Sequence, residues 1–170
     1  MSTICKNIVK EFGDPPTRII HDISLTIEDG DFIAISGRSG SGKSTLLYLF
    51  STLDLPTSGS LFIDNRNITD LDVTALHNFR NIEIGFVFQF HYLLSELNAL
   101  ENVLLPARKT LSTYRKNRLG NIAFQTVRIA NKVDKLSSQL SGGEQQRVAI
   151  IRVLIVEPKY FFLQINPQII

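Results

Sequence analysis

The sequence predicts an α/β fold, and two observations carry that expectation. Short apolar strand-like runs alternate with segments of helical spacing along the whole chain. Between one such run and one such helix lies Gly37-Arg38-Ser39-Gly40-Ser41-Gly42-Lys43-Ser44-Thr45, which fits the pattern G-x-x-x-x-G-K-[ST]. Strand, glycine loop and helix is the context that this pattern requires.

In chain order, Ile23, Leu25 and Ile27 alternate with Ser24 and Thr26, the mark of a half-buried strand. Asp29-Gly30 supplies a turn, and residues 31–36 read as a short buried strand that feeds the glycine run. Residues 46–50 continue as an apolar helix, 56–60 form a turn, and 61–64 a further short strand. Helical spacing over 72–79 puts Val73, Leu76 and His77 on one side. Residues 84–88 form a second buried strand that ends at Gln89. From 99 to about 131 the pattern is mostly helical, with interruptions near Pro106 and Gly120. A long helix opens at Leu140-Ser141-Gly142-Gly143 and runs to about Val156, where Pro158 stops it. Residues 160–163 are a third buried strand, so a helical insertion separates two core strands. No internal repeat and no low-complexity linker interrupts this order.

A chain of 170 residues, 44% of them hydrophobic, suggests one domain with a sizeable core. The net charge of +2, from 18 basic and 16 acidic residues, supplies no basic field, so no nucleic-acid partner is expected. The single Cys5 cannot form an internal disulfide, which fits a reducing compartment. No run reaches the roughly 20 apolar residues of a membrane span, and the first residues lack the apolar core of a secretory signal. The expectation is a cytoplasmic chain without direct membrane insertion.

The glycine run has a clear chemistry. Its glycines let successive backbone N–H groups turn inward around phosphate oxygens, and the following helix adds the positive end of its dipole. Lys43 would reach the terminal phosphates of a nucleotide, and the Ser44 hydroxyl would hold Mg²⁺. A second signal is Leu140-Ser141-Gly142-Gly143-Glu144-Gln145-Gln146-Arg147, a serine and paired glycines that open a helix. Alone, that stretch is either an anion cradle or an ordinary helix N-cap.

Together with Gln89 at the end of a strand, these motifs resemble the ATP-binding cassette family, from about Thr3 to Tyr160. The resemblance implies a P-loop NTPase (RecA-like) core with an antiparallel β subdomain and a helical signature subdomain, incomplete at the C-terminus. It implies one nucleotide-binding domain over 1–170, with the core in 1–90 and 146–170 and the helical subdomain in about 91–145. The cofactors it implies are ATP and Mg²⁺. Gly37 through Thr45 would cradle the phosphates, while Ser141, Gly142 and Gly143 would cover the γ-phosphate of ATP held by a second copy. Phe12 matches the aromatic that stacks on adenine; as a residue it could equally be a core aromatic at a strand end. Gln89 matches the glutamine that approaches Mg²⁺ and the attacking water, so Gln89 and Lys43 carry the implied catalytic roles, and Ser44 and Gln89 the metal. The implied partners are transmembrane permease subunits and a second nucleotide-binding domain, on the inner face of the cell membrane.

Within that family, Phe88-Gln89-Phe90-His91-Tyr92-Leu93-Leu94 and Ala99-Leu100-Glu101-Asn102-Val103 look most like the lipoprotein-releasing and macrolide-exporter branch, as does Glu144. His91 is then a coupling-surface residue rather than a metal ligand, and His21 and His77 are solvated or core-edge histidines.

The resemblance fails after Phe162. The family places an aspartate and a glutamate at the end of this strand, and here those positions fall on Gln164 and Ile165, or one residue later on Ile165 and Asn166. The family's switch histidine has no counterpart either. For one choice of codons, with Leu163 ending in G, a reading frame starting one base earlier gives an Ala-Asp-x-Pro-Thr stretch, so a shifted frame and a divergent C-terminus are both open. Three functions are therefore weighed: an ATP-binding subunit that couples binding and hydrolysis to export or lipoprotein release, a nucleotide-binding module without turnover, and an unrelated phosphate-loop kinase or GTPase. The Leu140–Arg147 stretch argues against the third.

Overall fold

Chain pairing begins at the N-terminus, where β1 (Ser2–Phe12) and β2 (Thr17–Glu28) form an antiparallel ladder across a turn at residues 13–16. The computed structural model describes residues 2–108 and 122–164. These fall into two compact units that divide between Asn81 and Ile82.

In the first unit, β3 (Ser58–Ile63) and β4 (Arg66–Asn67) complete a four-stranded antiparallel sheet in the order β2-β1-β3-β4. Asp64 and Asn65, with φ of 50° and 61°, form the two-residue turn between β3 and β4, the geometry that suits the twist of a hairpin. The strand expected over 61–64 thus starts at Ser58 and gives up Asp64 to the turn. β1 carries a bulge at Asn7, whose φ is 51°, and the ladder shifts register on both of its sides. Before the bulge Thr3 and Cys5 are buried; beyond it Ile8 and Lys10 take the inward positions, so one extra residue exchanges the faces of the strand. Gly59 lies against this bulge: a Cβ there would stand 2.3 Å from the Asn7 carbonyl oxygen, and its φ is 91°.

Helix α1 (Lys43–Phe50) follows the glycine run as expected and buries Leu49 and Phe50. It ends at Ser51, and Thr52 then adopts φ 59° with its hydroxyl buried and unpartnered. Helix α2 (Val73–Glu83) begins where the Ala75 N–H donates to the Asp72 carboxylate at 2.8 Å. It buries Leu76 and Phe79 and leaves Val73 and His77 exposed, so the expected inner face was one position pair off. Both pairs have helical spacing, and pattern alone does not choose between them.

The strand expected over 31–36 is not formed. This stretch joins no ladder among the described residues, and Phe32 is 95% exposed. An apolar run becomes a strand only when a neighbour takes its N–H and C=O groups, and that neighbour is not encoded in the run itself.

In the second unit, β5 (Ile84–Val87) and β6 (Tyr160–Leu163) pair in parallel, with Ile84 opposite Tyr160 and Val87 opposite Leu163. Such a pair needs a long crossover, and the helical segment supplies it. Gly85 admits the crossover's return: a Cβ there would lie 2.5 Å from Val153 and 2.6 Å from Pro158. The segment expected to be mostly helical over 99 to about 131 contains α3 (Ala99–Leu104), 3-10 turns at Pro106–Arg108 and Ala130–Lys132, and α4 (described over 122–126), while the long helix expected from 140 is α5 (Gly142–Leu154). Gly120 lies outside the described residues. α5 stops at Leu154 rather than Val156, because Glu157 takes a positive φ ahead of Pro158. Val103, Phe124, Ile129, Val148 and Ile151 form the buried core of this unit. Asn102 is buried among them with both polar atoms bonded: its Oδ1 accepts from the Leu94 N–H at 2.8 Å, and its Nδ2 donates to the carbonyls of Leu94, Leu97 and Asn98.

Thr52 generates a test. A β-branched residue in the left-handed region costs roughly 1–2 kcal/mol, and its orphaned hydroxyl adds to that. Thr52→Val keeps the volume of this fully buried side chain and removes the orphaned hydroxyl. The expected outcome is a gain of about 1 kcal/mol in unfolding free energy by denaturant titration; a loss would contradict it.

Candidate functional site

The glycine run closes on itself through one carbonyl. Arg38 O accepts from the Ser41 N–H at 3.3 Å and from Lys43 Nζ at 2.6 Å, so the ammonium lies folded across the loop. Gly42, at φ 85°, is the N-cap of α1, and no side chain caps the first turn. A Cβ on Gly42 would stand 2.9 Å from Ile20 Cδ1 and 3.2 Å from Ile19 O, so glycine lets the head of α1 lie against β2. The first turn of α1 contains no acidic residue, which leaves its positive dipole end uncompensated.

A cavity of 340 Å³ opens above this loop. Phe12 and Ile19 line it from the β1–β2 hairpin, and Ser39, Gly40 and Gly42–Thr45 line it from the loop. Seven of the expected site residues therefore meet at one place: Phe12, Ser39, Gly40, Gly42, Lys43, Ser44 and Thr45. Gly37, Arg38 and Ser41 build the loop without lining the cavity. Phe12 is 47% exposed, a ring at a cavity rim rather than a core aromatic. The lining offers an ammonium, three hydroxyls and glycine backbone, with no carboxylate. That donor set fits a polyphosphate. For Mg²⁺ the lining offers the Ser44 and Thr45 side-chain oxygens, which fits an ion held largely by phosphate oxygens and water. Among the described residues no cluster of three or more His, Cys, Asp or Glu could hold a metal by itself.

Gln89, Ser141, Gly142 and Gly143 belong to the second unit. Gln89 is exposed just past the end of β5. The residues after it are tied to α5, because Arg152 donates to the carbonyls of His91 and Tyr92, both at 2.8 Å. Burial alone lowers the pKa of this guanidinium from its ordinary value. At the other end of α5, Ser141 is an N-cap in a capping box with Glu144. The Glu144 N–H donates to Ser141 Oγ at 3.4 Å, and Glu144 Oε2 accepts from the Ser141 N–H at 2.8 Å and from its hydroxyl at 3.0 Å. Lys132 pairs with the same carboxylate at 3.2 Å. The Ser141 N–H first, then Lys132 and the Ser141 hydroxyl, hold the Glu144 carboxyl below its ordinary pKa of 4.5. The paired glycines are not demanded by packing: a Cβ on Gly142 would meet nothing within 4 Å, and one on Gly143 only the tip of Arg147 at 3.8 Å. Each is unfavourable in a helix by about 1 kcal/mol relative to alanine, so they keep an open backbone surface at some expense.

Sequence reasoning missed Ile19, Lys10 and Arg152. Arg152 had a weak signal, a cation in the last turn of a helix, and the other two had none. Among the described residues no helix is long and apolar enough to cross a membrane.

A glycine loop at the head of a helix that rests on β2, an aromatic rim and a serine-capped diglycine helix define a nucleotide-binding cassette of the phosphate-loop class. The chain belongs to the ABC transporter family, whose model matches residues 20–164. It is 45% identical over 153 residues to the lipoprotein-releasing system ATP-binding protein LolD of Leptospira interrogans, covering 90% of this chain and 64% of that protein. It is 46% identical over 147 residues to LolD of Bdellovibrio bacteriovorus, covering 85% of this chain and 66% of that protein. The chain thus spans slightly less than two thirds of the length of these curated relatives. Among solved structures it is similar to a dimeric post-hydrolysis state of the ATP-binding cassette MJ0796 bound to ADP and Pi. The TM-score is 0.87 at 35% identity, covering 98% of this chain and 77% of that one.

The capping box makes stability pH-dependent. A carboxyl with a depressed folded pKa contributes stability above its unfolded pKa, and this is lost as pH falls through the folded value. Glu144→Gln is therefore expected to be less stable than the unaltered chain near neutral pH. The difference should shrink as pH drops below 4.5, the ordinary value. Paired thermal melts across that range check it.

Proposed function

We propose that this chain is the ATP-binding subunit of an ABC transporter of the lipoprotein-releasing type, coupling ATP to the release or export of lipoproteins. The observation that carries this reading is the cavity in which Phe12 stands beside the glycine loop and Lys43. The similarity to LolD proteins supports the choice of branch.

In this reading adenine stacks on Phe12, and the backbone of Gly37–Thr45 cradles the phosphates. Lys43 exchanges the Arg38 carbonyl for the terminal phosphates, one acceptor for a charged one. Ser44 would hold Mg²⁺, which when bound would offset phosphate charge, and Gln89 would share that role as the family resemblance implies. Two copies pair so that the Ser141-Gly142-Gly143 surface of one covers the γ-phosphate in the other. The core comprises 1–90 and 146–170, and the helical subdomain about 91–145 meets transmembrane permease subunits. The protein is then cytoplasmic and peripheral, on the inner face of the membrane. Phe90 and Tyr92, both exposed beyond Gln89, suit contact with such a partner.

Turnover is a separate matter. Residues 163–170 contain no Asp or Glu, so no carboxylate follows β6 where a water-polarising base would stand. Loss of a positioned general base costs about 10²–10⁴ in rate.

Lys43→Ala is expected to weaken MgATP binding by roughly 100-fold or more, measured by nucleotide titration of purified protein. Equal affinity in the two proteins would refute the site. Steady-state ATP hydrolysis by the isolated 170-residue chain is expected to be negligible. Turnover in the usual range of about 1–10³ s⁻¹ that disappears in Lys43→Ala would overturn this.

A further inference from the structure

Lys10 is a lysine at an inward position, with its side chain only 13% exposed. It reaches that position because the bulge at Asn7 exchanges the faces of β1. Its ammonium donates to Asp54 Oδ1 at 2.6 Å and to the Leu55 carbonyl at 2.7 Å. The same ammonium lies 4.9 Å from the centroid of the Phe12 ring. Asp54 is fixed in turn, since its N–H donates to Tyr48 O at 3.2 Å, in α1. One cation therefore links the end of β1 to the tail of the helix whose head carries Lys43.

We propose that Lys10 is a positioning residue for nucleotide binding, holding one face of Phe12 so that the other meets the purine at a fixed height above the phosphate loop. The role rests on the reading of Phe12 as the base platform. Two effects act together. The ring is 47% exposed and would otherwise turn about its side-chain bonds; the ammonium favours the orientation that presents a π face to it. A cation on one face also withdraws ring density, and this improves the opposite face as a partner for an electron-rich purine. Asp54 keeps the ammonium in place without reaching the ring.

A double-mutant cycle in ATP affinity tests the role, with Lys10→Met, Phe12→Ala and the double variant in the full chain. Lys10→Met alone should weaken ATP roughly five-fold. In the Phe12→Ala background it should have no further effect. Inorganic tripolyphosphate, which has no base to stack, should bind the wild type and Lys10→Met equally. Asp54→Asn should give a smaller loss of the same kind, and its cycle with Phe12→Ala decides the matter if Lys10→Met does not fold. Fully additive losses, an unchanged ATP affinity, or equal losses for ATP and tripolyphosphate would reduce Lys10 to a structural strut and overturn the proposal. A wild-type chain that binds neither ligand, or a Phe12→Ala variant with intact ATP affinity, would refute the base-platform reading, and the role of Lys10 with it.

Discussion

The close approach of α1 to β2 at Gly42 is the constraint on which the cavity above the glycine loop depends. With the Ile19 carbonyl oxygen 3.2 Å from where a Cβ would be and φ at 85°, a side chain here would be both crowded and strained. This contact seats the phosphate loop on the strand rather than beside it. β2 pairs with β1, and Thr17 lies opposite Phe12, so the strand that carries the ring is bonded to the strand against which Gly42 rests. A glycine at an N-cap costs only a few tenths of a kcal/mol relative to a capping side chain, so the fold loses little by leaving the helix head open.

The second unit secures its functional segment differently. Between β5 and α3 the chain packs Leu93 against the core but exposes Phe90, Tyr92 and Leu94, so apolar burial is only part of what holds it. Asn102 and Arg152 hold it as well, through backbone groups of Leu94, Leu97 and Asn98 and through the carbonyls of His91 and Tyr92. Each such bond contributes about 0.5–1.5 kcal/mol net, more when the donor is charged. Main-chain anchoring leaves the side chains free to face outward, and it joins the stretch after Gln89 to the helix that begins at Ser141. The buried amide is tolerable because its oxygen accepts one bond and its two N–H groups are shared among three carbonyls.

Features written in local pattern were legible from sequence, and features that need a distant partner were not. The glycine loop, the serine cap of α5 and the stop before Pro158 are short-range signals, and they appear where the residues place them. Residues 31–36 carry the composition of a buried strand but no instruction about what pairs with them. β1 was obscured because its bulge breaks the period of two, separating the buried Cys5 and Ile8 by three positions. On α2, Val73 and Phe79 both stand three residues from Leu76, and pattern alone does not say which shares its buried face. In the site, Phe12 was found by its place in a family pattern, whereas Lys10 reads as an ordinary solvated lysine until the bulge is known.

Sheet topology also sets an order of assembly. The β1–β2 and β3–β4 ladders join neighbours across short turns, so their closure entropy is small and they can form while synthesis continues. β5 has no such option: its partner β6 comes only after the whole helical crossover, and Gly85 awaits Pro158 and Val153. On a ribosome, then, the cavity between Phe12 and the glycine loop can stand complete while the apolar strand leading to Gln89 remains bare. A nascent chain in that interval carries a finished pocket and an unshielded sticky edge, the condition in which chaperones are recruited.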